Sequence, residues 1–282
     1  MTMKYNIKAL TPIFSYGADP YYTTGKGRDK NNHAGTPEIR AASIRGQLRW
    51  WMESLGYPNK INAIFGTSAD GGVASRVIVR ISDIDGTIGQ RRCTQQHHWS
   101  TKTCYLEGTS FSLQIIEKRD GLKGEERQVL KDTIEAWLLM GTLGSRGTRA
   151  AGSLDAEGLL MMESSWIKRC RELLKNSGMH LYLGRTQFAN ESSARQVICD
   201  TLAEDAFNRT QPLGGIRPRK TSPLRMRVVK FEDNHPGEPF RIASLWINKD
   251  QRLLHDAIKR LQEHGNGGKT IGHELNDSLM IC

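Results

Sequence analysis

An alternating segment near the N-terminus, two amphipathic helical stretches and two strand-like runs flanking a polar insertion predict an α+β fold. In order they read strand, helix, strand, strand, helix, the opening of a ferredoxin-like β-α-β-β-α-β unit.

The first strand falls in residues 4 to 14, where Tyr5, Ile7 and Ala9 alternate with Lys4, Asn6 and Lys8. Residues 15 to 38 hold Gly17, Gly25, Gly27, Gly35, Pro20 and Pro37, the composition of a long loop. That loop also carries Asp19, Asp29, Lys26, Arg28, Lys30, Tyr21 and Tyr22. Next comes the stretch from Pro37 to Leu55. At 100° per residue, Ile44, Leu48, Trp51, Met52 and Leu55 share one side of a helix, with Ser43 as its expected cap. Arg45 and Arg49 border that side one turn apart, and Arg40 lies just upstream. This edge is either a solvated face or a phosphate contact. Gly46 costs helix propensity of roughly 1 kcal/mol, so backbone or ligand is expected to come close there.

Val73 to Ile81 reads as the second strand and Thr109 to Ile116 as the third, pairing across an insertion at residues 83–108. From Glu125 to Gly141, Leu130, Ile134, Trp137, Leu138 and Gly141 follow helical spacing with charges opposite. The second half is less regular. Helices are expected around Trp166 to Leu174, Val197 to Leu202 and Leu253 to Leu261. Strands are expected at Leu224 to Phe231 and Phe240 to Ile247, and the polar, Gly-rich end is expected to fray until Leu279. The division is 1–154 and 155–282, packed as one body.

The chain has 282 residues, and its 40 Lys plus Arg against 30 Asp plus Glu leave a formal charge of +10, which favours a polyanionic partner. Five cysteines without paired spacing do not form a disulfide framework. No apolar run suits a signal peptide or a membrane span, so a cytoplasmic location is expected.

Three segments bear site chemistry. Gly141 to Leu154, GTLGSRGTRAAGSL, places Gly144, Gly147 and Gly152 beside Arg146 and Arg149 after a helix, either a helix stop with a turn or a phosphate cradle. No Gly-Lys-Ser/Thr ends it, so nucleotide hydrolysis is unsupported. GGIRPRKTSPLRMRVV gathers Arg217, Arg219, Lys220, Arg225 and Arg227, with Arg225 and Arg227 on one strand face, for solvent or phosphate. The insertion offers the sole metal candidate, Cys93, His97, His98 and Cys104, suitable zinc donors without a Cys-x2-Cys knuckle. No nucleophile and base arrangement stands out, and no cofactor is expected.

The blocks TPIFSYGAD, EIRAASIRGQLRWWMESL, IFGTSADGGVASRVIVRI, LGSRGTRAAGSL and KTSPLRMRVV, in this order, resemble the RAMP superfamily of CRISPR proteins. Their wording is most similar to the subunits that cap one end of the type III-B (Cmr) RNA-guided effector complex. The resemblance implies a RAMP-type modified ferredoxin-like fold, related to the RNA-recognition motif, with insertions. A second, degenerate ferredoxin-like unit in 155–282 stays open. It further implies a non-catalytic RNA-binding subunit of a type III ribonucleoprotein in antiviral defence, partnered by crRNA, target RNA and other RAMP subunits. The Gly-rich motif of that group falls on Gly144, Arg146, Gly147, Arg149 and Gly152. Its thumb hairpin falls on the insertion, with Arg91, Arg92 and Trp99 as charge and stacking surface. The alternatives are an endoribonuclease using Asp19 or Asp29 with a metal ion, and a chiefly protein-binding scaffold.

Overall fold

The computed structural model describes residues 1–16, 36–69, 71–92, 101–119, 121–159, 162–203, 215–216, 219–234, 237–247, 250, 252–256 and 279–280. Strand β1 (Thr2–Ala9) leads to helices α1 (Ala41–Ser54) and α2 (Pro58–Phe65). Then follow β2 (Val77–Asp85), a hairpin of β3 (Ile88–Arg92) and β4 (Thr101–Tyr105), β5 (Ser110–Glu117), α3 (Gly124–Met140) and β6 (Leu154–Ala156). The first sheet has the order β2-β5-β1-β6 and is antiparallel throughout. This is the ferredoxin-like order, with β6 as the closing strand. The sequence division at 154/155 therefore falls inside a strand of the first sheet.

Alternation decides which face of that sheet is covered. Ile7 pairs with Phe111, Tyr5 with Leu113 and Met3 with Ile115, and these side chains join α1 and α3 in the main core. Ile44, Leu48, Trp51 and Met52 are the buried residues of α1, and Leu55 follows them into the core. The helix starts earlier than Ser43 predicts. Arg40, extended at φ −111° and ψ 135°, is its N-cap, and Ser43 lies within the first turn. Helix α2 has no counterpart in the sequence reading, although Pro58 in its first turn and the buried Ile64 and Phe65 explain it.

The second half begins with α4 (Glu163–Leu174), β7 (His180–Leu183) and α5 (Glu191–Ala203). Two-residue strands β8 (Gly215–Ile216) and β9 (Arg219–Lys220) pair with each other, and β10 (Leu224–Lys230), β11 (Phe240–Trp246) and β12 (Leu279–Met280) complete the elements. Its sheet has the order β10-β11-β7-β12, again antiparallel, with a helical segment at 252–256 between β11 and β12. Strand, helix, strand, strand, helix, strand with the first sheet's neighbour order makes this a second ferredoxin-like unit.

The second sheet is covered on both faces. Leu181, Leu183, Ala243 and Leu245 belong to the main core with α3 and α4, while Tyr182, Met226, Val228, Ile242 and Trp246 pack with Ala194 and Ile198 of α5. Arg169 of α4 joins the halves electrostatically, meeting Asp132 at 2.5 Å and Glu135 at 2.6 Å on α3. No helix among the described residues is long and apolar enough to cross a membrane.

Candidate nucleic-acid interface

The N-terminus of α1 brings an open helix end and a basic edge together. It has no side-chain cap and no acidic residue in its first turn, so the positive end of its dipole is not neutralised locally. Arg40 is half-buried there, its Nε without a hydrogen-bond partner. Arg45 and Arg49 continue the basic edge but are anchored within the fold. Arg45 donates to the carbonyl of Phe65, and Arg49 donates through Nη1 to the carbonyl of Gly66 at 2.8 Å and through Nη2 to Asn62 Oδ1 at 3.4 Å. Those carbonyls end α2, where a cationic side chain is favoured. Each guanidinium carries five N–H donors, and these bonds use only part of them. Gly46 is exposed and a Cβ built there meets nothing within 4 Å, so no backbone among the described residues approaches it. The space beside this glycine is therefore open among the described residues, wide enough for a ligand to approach.

The Gly-rich segment is first a packing device. Gly144 (φ +89°) would bring a Cβ to 2.7 Å from the Phe14 carbonyl, and Gly152 (φ +70°) to 1.9 Å from that of Leu143. The Ser145 and Gly152 amides donate to Phe14 and Pro12 at 2.8 and 2.9 Å. A side chain at Gly147 would strike Thr142 Oγ1 at 2.2 Å. The close approaches at these three glycines are therefore made by the chain itself. At the tip, Arg146 is exposed in the left-handed region (φ 67°, ψ 21°), and Arg149 is half-buried at the end of a 3-10 turn over Gly147–Arg149.

The arginines of β10 do not form a solvent-facing pair. Arg227 is 4% exposed and donates through Nη1 to Leu138 O at 2.7 Å and Gly141 O at 3.1 Å, and through Nη2 to Leu154 O. Burial pushes its pKa down to about 10, so it stays charged at neutral pH. It satisfies the C-terminal carbonyls of α3 and is withdrawn from solvent, which corrects its reading as a phosphate contact. Arg225 stacks on Trp50 of α1 at 4.2 Å, and burial lowers its pKa. Arg219 and Lys220 form β9, and Arg217 lies outside the described residues.

In the insertion, β3 and β4 make the expected hairpin, tied to the body by the Ile13 to Tyr105 bridge. Arg91 is committed to Glu107 at 2.6 Å, and Arg92 is exposed. Trp99, Cys93, His97 and His98 lie outside the described residues, as do Asp19 and Asp29. Cys104 is fully buried with Phe14 and Ala151, a core position rather than an accessible zinc donor. Among the described residues no three His, Cys, Asp or Glu side chains gather to hold a metal ion. The face of the first sheet that the described residues leave uncovered presents Lys4, Asn6, Lys8, Ile78, Arg80, Ser110 and Gln114, with no aromatic among them for base stacking.

Two residues that the sequence does not single out become prominent. Arg195 lies in the buried stripe of α5 beside Ala194 and Ile198, 9% exposed, and Glu107 follows β4. An arginine within an apolar helical stripe was the available signal for the first.

The profile of the RAMP superfamily matches residues 6–155. A subunit described as CRISPR system Cmr subunit Cmr1-2, from Pyrococcus furiosus, is 26% identical over 176 residues, covering 57% of this chain and 81% of that relative. The crystal structure of Cmr1 from Pyrococcus furiosus in its apo form superposes with a TM-score of 0.54 at 16% identity, covering 87% of this chain and 88% of that one. A chain from the cryo-EM structure of the type III-B Cmr-beta complex bound to cognate target RNA and AMPPnP, in the presence of ssDNA, also gives 0.54, at 9% identity over 98% of this chain and 99% of that one. These likenesses extend the shared fold across both halves.

Proposed function

Because the chain belongs to the RAMP superfamily, we propose that it is a non-catalytic RNA-binding subunit of a type III CRISPR ribonucleoprotein effector, seated near one end of the complex. The observation that carries this reading is the uncapped start of α1, bordered by Arg40 and Arg45, beside an exposed glycine with open space above it. Backbone N–H groups and guanidinium forks grip phosphate oxygens without reading sequence. Sequence is then read by pairing between crRNA and target, as in other RNA-guided complexes. The open sheet face, polar and without an aromatic among the described residues, fits this division of labour.

Gentle purification from the native host, with sequencing of the co-purifying nucleic acid, tests the proposal. Short RNAs with one repeat-derived end and varied spacers, recovered with other RAMP subunits, are expected; a random mixture or no RNA refutes it. A metal-dependent cut in guide-paired RNA that disappears in Asp19→Ala or Asp29→Ala would overturn the non-catalytic part. A scaffold role has one observation in its favour. The uncovered sheet face holds a cavity of about 450 Å³ lined by Asn6, Lys8, Asp83, Asp155 and Glu157, a mixed-charge surface suited to protein. Assembly with neighbours that survives ribonuclease treatment would favour that reading.

A further inference from the structure

A cavity of about 220 Å³ lies where the β3–β4 hairpin meets the N-terminal turn of α5. Its lining includes Thr11, Arg91, Arg92, Glu107, Ser192 and Arg195. It is too large for one water and smaller than the usual site of a drug-sized ligand. Two of its buried polar atoms have no hydrogen-bond partner, Nε of Arg195, a donor, and Oε2 of Glu107, an acceptor. The rest of each group is fixed. Glu107 Oε1 accepts from Arg91 Nε at 3.2 Å and Nη2 at 2.6 Å. Arg195 donates through Nη2 to the Arg92 carbonyl at 3.2 Å, and its guanidinium lies 5.8 Å from the centre of the Phe14 ring.

Buried polar atoms are nearly always satisfied, and a cavity that offers one fixed donor and one fixed acceptor selects a ligand with the complementary pair. A backbone phosphodiester does not qualify, because it has no proton to give the Glu107 oxygen, and inorganic phosphate brings its own negative charge against that carboxylate. Burial pushes the Glu107 carboxyl up, but the Arg91 hydrogen bond and the charges of Arg91 and Arg195 hold it below the usual carboxylate range. The acceptor is therefore an anion at neutral pH. A nucleobase with an exocyclic amine beside a ring or carbonyl acceptor matches both atoms, as adenine, cytosine and guanine do. Uracil matches less well: its N3–H and one flanking carbonyl meet the two atoms, but the second carbonyl is then turned toward the carboxylate. Arg92, exposed beside the cavity, supplies a cation for the attached phosphate.

We propose that this cavity takes up one unpaired RNA nucleotide and reads the amino group of its base, through Glu107 and Arg195. The inference rests on the RNA-binding reading and adds a sequence preference at one position to binding that otherwise follows the backbone.

The test uses 12-nucleotide RNAs, oligo(U) and oligo(U) with one central A, C or G, with affinities measured by fluorescence anisotropy at fixed salt. Wild type is expected to bind at least one amino-bearing oligonucleotide at least about fivefold more tightly than oligo(U). The ratio is expected to fall to one in Glu107→Gln, which retains an acceptor for Arg91 but is neutral, and in Ser192→Trp, which fills the cavity from an exposed helix position. Equal affinity for all four RNAs in wild type overturns the pocket and leaves RNA binding standing. A preference that survives Ser192→Trp also overturns it. Binding to none of them removes both the pocket and the RNA-binding reading.

Discussion

Replacing Gly46 with Ala separates what the helix wants from what its ligand wants. In a helix interior Ala is favoured over Gly by about 0.8–1.0 kcal/mol. The new Cβ meets nothing within 4 Å, so no clash offsets this gain. At roughly 2–4 °C per kcal/mol for a domain of this class, the melting temperature is expected to rise by about 2–4 °C. If the phosphate backbone runs along this exposed part of α1, the methyl group displaces it. Loss of one charge-assisted hydrogen bond, about 1.5 kcal/mol, weakens binding about tenfold. Thermal denaturation and anisotropy on a short RNA read the two effects separately. Higher stability with unchanged affinity refutes the placement of RNA at this edge, and lower stability refutes the open space itself.

Arg227→Met removes the donors to Leu138, Gly141 and Leu154, and a cost on the order of 3–5 kcal/mol is expected in chemical denaturation. RNA affinity per folded molecule should be unchanged. Gly152→Ala forces a Cβ to 1.9 Å from a carbonyl at φ +70° and is expected to cost more than about 4 kcal/mol, read as loss of folded protein. Arg146→Ala, by contrast, should shift stability by no more than about 0.5 kcal/mol while lowering the slope of log affinity against log salt by about one. Glu117 has its pKa lowered chiefly by the hydrogen bond from Arg127. Its contribution is present above the unfolded carboxyl value near ~4.3 and is lost as pH falls through the folded value. Arg127→Leu should therefore flatten the acid limb of stability against pH.

The first sheet was legible because one of its faces is open. Lys4, Asn6 and Lys8 alternate with buried partners, and the period of two survives in the sequence. The second sheet erases that signal by covering both faces. Six consecutive residues of β11, Arg241 to Trp246, are buried, so no alternation remains to say which face meets which helix. Basic residues were easy to find and hard to assign. Arg45, Arg49 and Arg227 look alike in sequence, yet each serves carbonyls at a helix C-terminus, which depends on which helix end the fold delivers to them. The glycines misled for a related reason. Gly144 and Gly152 admit neighbouring loop backbone, while Gly46, where backbone or ligand is expected to come close, faces open space among the described residues.

Arg227 gives the chain a property that its repeated topology conceals. Each unit has the strands of a self-sufficient domain, but the last carbonyls of α3 and the Leu154 carbonyl are satisfied by a side chain that arrives more than seventy residues later. A nascent chain released only as far as β6 therefore holds a helix end that its own residues leave unsatisfied. During synthesis the first unit waits for β10 before its terminus is sealed.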